Sequence, residues 1–306
     1  MEPETWGVFW NNNLARLEDR SRWNKPFHRN IAAGFGEFST LPFLVTETTG
    51  KMGYWKDFYL GSQGSPHDTE PTHNPWALNY ARPSSFTINS TLGYIFWSSL
   101  LNWQVLYIAQ LFSRDNERVR QAVGVSGYFV LNNLLHSLFV ILFVHSCFRW
   151  AEGILLLNFV NLSVLRFRHR ALPLQVHLPA ISLPQSWTFF ALYWNGFMMV
   201  RDQPLIASRV AGGIFIWALL GYGILSLGAF KDAALSICLS IISVAIGIGQ
   251  IERLGSMPEV VSPFIIGALL VLATSIQLCG TWPDCRWAGR SVRTRSTVDH
   301  KDHQFN

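Results

Sequence analysis

The chain has 306 residues, of which 49% are hydrophobic and only 14% charged, with a formal net charge of +5. A soluble domain of this size carries about a quarter charged residues, so the deficit excludes an ordinary water-exposed fold and points to lipid as the main solvent. The basic surplus lies in short Arg clusters between apolar segments and in the tail; that is the pattern of topology signals and gives no nucleic-acid partner.

The chain divides into three regions: a polar, Trp-rich N-terminal region over 1–85, an apolar region over 86–280, and a basic solvated tail over 281–306. The fold class expected is all-α, a polytopic transmembrane helix bundle of about seven spans with an irregular polar N-terminal region. Trp6, Trp10, Trp23, Trp55 and Trp76 are scattered among Gly, Pro, Asn and His without a lasting period, so one short helix near Trp6–Arg20 is the only regular element expected there. The first twenty residues are polar and of mixed charge, unlike a signal peptide. Ile31–Val45 is an apolar patch broken by Glu37 and Pro42; as an eighth membrane element it would move the N-terminus to the cytosol. Asn89-Ser90-Thr91 matches a glycosylation acceptor, close to the membrane.

The apolar stretches run roughly 88–112, 122–147, 151–166, 183–200, 209–230, 233–251 and 260–279. The second and third are joined by a corner at Phe148-Arg149-Trp150, and the third, about sixteen residues long, is short for a bilayer. Pro184 sits near the start of the fourth, and Lys231-Asp232 alone separates the fifth and sixth, forcing an antiparallel hairpin. One side of the bundle collects Arg114, Arg118, Arg120, Arg166, Arg168, Arg170, Lys231 and the tail arginines; the other collects Arg82, Arg149, Arg201, Arg209 and Arg253. The excess places the C-terminus in the cytosol. Cys147, Cys238, Cys279 and Cys285 have no metal-ligand spacing, and neither a disulfide framework, a metal nor a cofactor is expected.

The polar residues inside the spans are Asn, His, Gln and Trp. Asn132, Asn133 and His136 lie in the second span, with Asn132 and His136 one turn apart on one face. They either bind a ligand or handle a proton, or they hydrogen-bond between helices. His145 lies at the boundary. In the third span Asn158 and Asn161 are spaced to meet Asn132 or Asn133 across the hairpin, and Glu152 near the helix start is either a general acid or a capped, water-facing end. Trp187, Tyr193, Trp194 and Asn195 in the fourth span, and Trp217 with Gly221-Tyr222-Gly223 in the fifth, either line a pocket for a flat apolar ligand or pack the bundle. Arg166, Arg168, His169 and Arg170 read as a topology and headgroup-contact cluster. No Walker loop, His-Glu-x-x-His, nucleophile elbow or Asp-rich pair is present, and no acid lies deep in a span, which argues against a proton-coupled pump.

Several strings resemble a family of uncharacterised multi-spanning fungal membrane proteins, some of which carry an ATP-synthase-like label. They are Asn132-Asn133-Leu134-Leu135-His136, Asn158-Phe159-Val160-Asn161-Leu162-Ser163, Phe167-Arg168-His169, Trp187-Thr188-Phe189, Tyr193-Trp194-Asn195-Gly196, Trp217 with Gly221-Tyr222-Gly223, and Lys231-Asp232. The resemblance covers about 84–280. The label itself finds no deep Arg or acid to support it, and the family's additional N-terminal span has no counterpart before residue 84. Pro83-Ser84-Ser85-Phe86 ahead of a Trp-containing helix, with the aromatic fourth span, looks distantly like the tryptophan-rich sensory (translocator, TspO-type) proteins, helical bundles with a tetrapyrrole or sterol pocket.

Three functions fit these residues. The first is a sensory or transport-like protein holding a small apolar ligand of the isoprenoid, sterol or tetrapyrrole class between Asn132, Asn133, His136, Asn158, Asn161, Trp187, Tyr193, Trp194, Asn195 and Trp217. The second is a membrane-embedded tailoring enzyme, an isomerase or cyclase of fungal secondary metabolism, with Glu152 and His136 as catalytic residues. The third is a structural or assembly factor. A cavity bounded by His136, Asn158, Trp194 and Trp217 would serve the first two, whereas a packed core there would favour the third.

Overall fold

In the computed structural model, residues 75–169, 172–200 and 205–280 are described. The expected Trp6–Arg20 helix, the Ile31–Val45 patch, Arg170, Arg201, Cys285 and the basic tail lie outside the described residues. Within them the chain is an all-α bundle without a strand. A short helix α1 (Pro75–Ala81) leads to α2 (Ser90–Gln110), α3 (Asn116–Val144) and α4 (Phe148–Arg168). Next come α5 (Leu174–His177), a π-helical turn at Leu178–Ser182 and α6 (Leu183–Met199). After α7 (Leu205–Phe215) and α8 (Trp217–Leu225), a second π-helical turn at Ser226–Phe230 precedes α9 (Ala233–Glu252) and α10 (Met257–Leu278). Five segments are long and apolar enough to cross a membrane: Asn116–Val144, Phe148–Arg168, Arg209–Phe230, Ala233–Glu252 and Met257–Leu278. The chain is a multi-pass membrane protein. The first and fourth expected spans, α2 and α6, are helical but are not among the five.

The helix ends differ from the sequence expectation for local reasons. The corner between α3 and α4 falls at Ser146, which adopts a positive φ of 58°, followed by Cys147. Phe148, Arg149 and Trp150 form the first turn of α4, so that helix is 21 residues long, enough to cross a bilayer without thinning it. Residues 174–199 run as one rod through the π turn at Leu178–Ser182. Pro179 and Pro184 each lack an amide hydrogen, and a proline ring collides with the carbonyl four residues earlier; the wider turn accommodates both. Asn89 is buried and used as the N-cap of α2, its Oδ1 accepting from Leu92 N–H while its amide donates to Glu252. The glycosylation match at this position is therefore spent on structure.

Lipid tails are as apolar as leucine, so helices associate through close packing and hydrogen bonds rather than water exclusion. Small residues set how near they approach. In the α9–α10 hairpin, Ser240 donates to the Gly267 carbonyl at 3.0 Å, and a Cβ at Gly267 would stand 3.2 Å from Val244. Gly249 on α9 receives the 84–89 loop: a Cβ there would lie 2.6 Å from the Thr87 carbonyl oxygen and 2.7 Å from the Asn89 nitrogen. The loop is further held by Asn89 N–H to the Ala245 carbonyl and by Gln250, which donates to the Ser84 and Thr87 carbonyls. Since backbone cannot swing aside as a side-chain tip can, Gly249→Ala is expected to cost about 1–3 kcal/mol of stability. The exposed-space control Gly127→Ala, where a Cβ meets nothing within 4 Å, is expected to be neutral or slightly stabilising. Thermal unfolding of the two purified variants side by side checks the pair.

Candidate functional site

The hairpin of α3 and α4 brings the asparagines together. Asn158 Nδ2 donates to Asn132 Oδ1 at 3.0 Å and reaches Thr188 Oγ1 on α6 at 3.4 Å. Asn133 Oδ1 accepts from Gln104 on α2 at 3.0 Å. Asn161 goes elsewhere, donating to the Tyr128 carbonyl at 3.2 Å. These four side chains therefore stitch α2, α3, α4 and α6, as polar groups in a bundle must when water is absent. His136 shares their face but makes no link to them. Its ring lies 4.4 Å from that of Trp97 and 5.7 Å from that of Phe139, centre to centre, and its buried Nε2 has no partner among the described residues.

Around His136 the space is full. Trp187 and Trp194, on one face of α6, pack with Trp97, Phe143 and Trp76 at ring separations of 4.5–6.3 Å. Trp194 Nε1 donates to Asn79 Oδ1 at 3.0 Å, which ties α1 to the core. The cavity left among Pro75, Trp97, Phe139, Phe143, Trp187 and Trp194 is about 10 Å³, room for about one water molecule. Trp217 is 41% exposed and shares none of this packing. The expected chamber bounded by His136, Asn158, Trp194 and Trp217 is absent among the described residues, because aromatic side chains fill its centre and Trp217 turns outward.

Glu152 and Asn195 form a separate group. Asn195, fully buried, donates through Nδ2 to Glu152 Oε2 at 2.8 Å and to the Phe148 carbonyl at 2.9 Å. The catalytic candidates thus keep different company: His136 stands among aromatic rings and Glu152 against an amide. One residue beyond Asn195 lies Gly196, whose missing Cβ would sit 3.8 Å and 3.9 Å from the two Glu152 oxygens, with nothing closer. Gly196 lines a crevice of about 390 Å³ between α6 and α7, together with Leu192, Tyr193, Phe197, Ala211 and Phe215. Of the expected ligand residues only Tyr193 faces this space.

A third cluster has no counterpart among the sequence expectations. Asp232, between the second π turn and α9, is buried and accepts from Arg166 Nη2 at 2.6 Å, from His177 Nε2 at 3.0 Å and from Ser182 Oγ at 3.1 Å. It also caps α9 through Leu235 N–H, while Arg166 Nη1 donates to Ser226 Oγ at 3.2 Å. A carboxylate only accepts, so His177 carries its proton on Nε2. Arg166 is only 3% exposed and belongs to this clasp, not to a headgroup-contact cluster; Arg168, by contrast, is exposed and donates to Tyr128 Oη. The polar residues inside the bundle thus include a buried ion pair besides the expected Asn, His, Gln and Trp. Among the described residues no group of three or more His, Cys, Asp or Glu could hold a metal, and Cys147, Cys238 and Cys279 are free thiols.

The model of one family, described as fungal protein of unknown function (DUF1774), matches residues 209–303. That is under a third of the chain. It includes Trp217, Gly221-Tyr222-Gly223 and Lys231-Asp232 from the strings that resemble a fungal family; the strings before residue 209 lie outside it. The match carries neither the ATP-synthase label nor the tryptophan-rich sensory likeness. No curated protein and no solved structure matches.

Burial disfavours the charged form of Asp232, but the hydrogen bond and charge of His177, the Arg166 guanidinium and the Leu235 amide outweigh it and hold the carboxyl below its usual range. Its contribution to stability is complete above the ordinary aspartate value of about 4 and is lost as pH falls through the lower folded value. Asp232→Asn keeps a cap but strands Arg166, an expected loss of about 3–5 kcal/mol. Unfolding of wild type and variant followed from pH 7 to pH 3 checks it: the wild type should lose its advantage only at the acid end, and a gap that persists unchanged to pH 3 would contradict the assignment.

Proposed function

We propose that this protein is a membrane protein that holds a small apolar ligand in the crevice between α6 and α7, in a sensory or transport-like role, and not in the Asn/His/Trp centre of the bundle. The carrying observation is the crevice itself. Its volume of about 390 Å³ falls in the range of small-molecule sites, and its walls are Leu192, Tyr193, Phe197, Ala211 and Phe215 with no charged side chain among them. Aromatic rings at such a site accept flat or branched hydrocarbon through broad contact. Phe86 stacks on Tyr193 at 5.4 Å and Phe215 approaches Tyr193 at 6.1 Å, so the wall is braced from behind.

Among the three ligand classes, an isoprenoid or sterol body suits this lining better than a tetrapyrrole. Tetrapyrrole side-chain carboxylates would enter beside Glu152, and like charges there repel. A tailoring enzyme with Glu152 and His136 as its catalytic pair has less support, since the two side chains have different neighbours and the space at His136 admits about one water. The excess of exposed basic residues at Arg118, Arg120 and Arg168 supports a cytosolic C-terminus in a seven-span arrangement.

Photolabelling of the full chain in membranes with a diazirine-bearing sterol and a diazirine-bearing isoprenoid alcohol tests the reading. Adducts are expected on peptides containing Tyr193, Phe197 and Phe215, reduced at least about fivefold by Ala211→Trp, which fills the crevice. Labelling that falls on the Trp97–Trp187 centre, or that ignores Ala211→Trp in folded protein, would overturn it.

A further inference from the structure

Behind the crevice wall stands a carboxyl group. Gly196 contributes no side chain, and along its vacant Cβ direction the first atoms met are the two carboxyl oxygens of Glu152, at 3.8 and 3.9 Å. Glu152 is half-buried, and among the described residues its hydrogen-bond partner is the neutral amide of Asn195 on Oε2. The other acids packed into this bundle have more. Asp232 has Arg166 and His177, and Glu259 has Arg253 at 3.8 Å together with Ser85 and Ser256. Glu152 forms no ion pair within the described residues. A carboxyl group oriented by one buried amide, without a cation and next to an apolar cleft, has the form of a site that receives its counter-charge from a ligand.

We propose that the crevice takes an amphipathic amine, with the hydrocarbon body between α6 and α7 and the protonated nitrogen passing over Gly196 to Glu152. This deepens the apolar-ligand reading above and rests on it. The chemistry favours an ammonium over a hydroxyl of the same shape. A charge-assisted N–H to carboxylate contact is about twice as strong as a neutral one, and low-dielectric walls on both sides strengthen it further. Gly196 is the specificity device: any side chain there would occupy the passage between cleft and carboxyl. Asn195 acts as the positioning residue, since it holds Oε2 at 2.8 Å, while Oε1 has no hydrogen bond among the described residues.

The test uses the full chain in detergent micelles, with dodecylamine and dodecan-1-ol as probes and native mass spectrometry counting the retained adduct. The wild type is expected to hold the amine at least about tenfold more tightly than the alcohol. Glu152→Gln should bring the amine down to the level of the alcohol and leave alcohol retention unchanged. Gly196→Val should weaken the amine selectively, and Ala211→Trp should remove both probes. If Glu152→Gln leaves the preference for the amine intact, the amine assignment is wrong while the crevice stands. If Ala211→Trp, still folded by circular dichroism, retains both probes, the crevice reading itself fails. Should Glu152→Gln not fold, Glu152→Asp, which keeps the carboxyl but withdraws it by one methylene, is expected to lower the preference for the amine at least about threefold; an unchanged preference would overturn the proposal.

Discussion

Within a bilayer, a polar group that leaves water must find its partner inside the protein, and the bundle is arranged around that demand. Asp232 is its clearest expression. One carboxylate joins four groups from three elements: Arg166 at the end of α4, His177 and Ser182 on the rod of α5 and α6, and Leu235 in the first turn of α9. Both π-helical turns end here, the first between His177 and Ser182 and the second between Ser226 and Asp232. A π turn widens the helix and shifts the register of the turns after it, so it aims side chains that an α-helix would point past one another. Lys231, held at a positive φ of 54°, reverses the chain in the same place. Without the clasp, the α8–α9 corner would leave a buried guanidinium with no counter-charge.

The far end of α9, about 30 Å away by helix rise, closes in the same manner with different residues. The irregular 84–89 loop lies against Gly249, and its carbonyls are taken by Gln250 and Arg253. Glu259 completes the corner with a capping box from Ser256 and a hydrogen bond from Ser85. α9 is thus pinned at both termini, and it carries no charged residue between them. The non-helical backbone here is held because protein donors take its carbonyls.

Much of this order is legible in the sequence, and the limits have physical causes. The helices and their antiparallel hairpins come from long apolar runs punctuated by Ser113-Arg114-Asp115 and Lys231-Asp232. The meeting of Asn158 with Asn132 is a matter of hairpin geometry, because residues equidistant from a tight corner face each other. Arg166 resembles a headgroup arginine in sequence since its neighbours Arg168 and His169 belong to an exposed helix end. A fraction of a helical turn separates an exposed arginine from a buried one there, and only the position of Asp232 decides which is which. The 21-residue length of α4 is hidden because Ser146, not Phe148, carries the left-handed turn. Trp217 looks like a pocket residue by composition alone. Its outward orientation depends on the rotation of α8, which no local pattern in an almost wholly apolar helix specifies.

The two faces of α6 show why the richest polar and aromatic sequence is not where space remains. Trp187, Phe190 and Trp194 repeat at helical spacing and meet the aromatic residues of α1, α2 and α3, so that face is solid. Large rings packed edge and face leave little void, and the few polar atoms among them serve as struts. The opposite face offers Leu192, Tyr193, Gly196 and Phe197 to α7, a helix whose Ala207 and Ala211 are too small to fill the gap. A cavity arises where residue volumes fall short across an interface, not where residues are chemically varied. Glu152 matters for the same reason. Its carboxyl stands behind position 196, a glycine of the crevice wall, where a Cβ would lie 3.8 and 3.9 Å from the two oxygens.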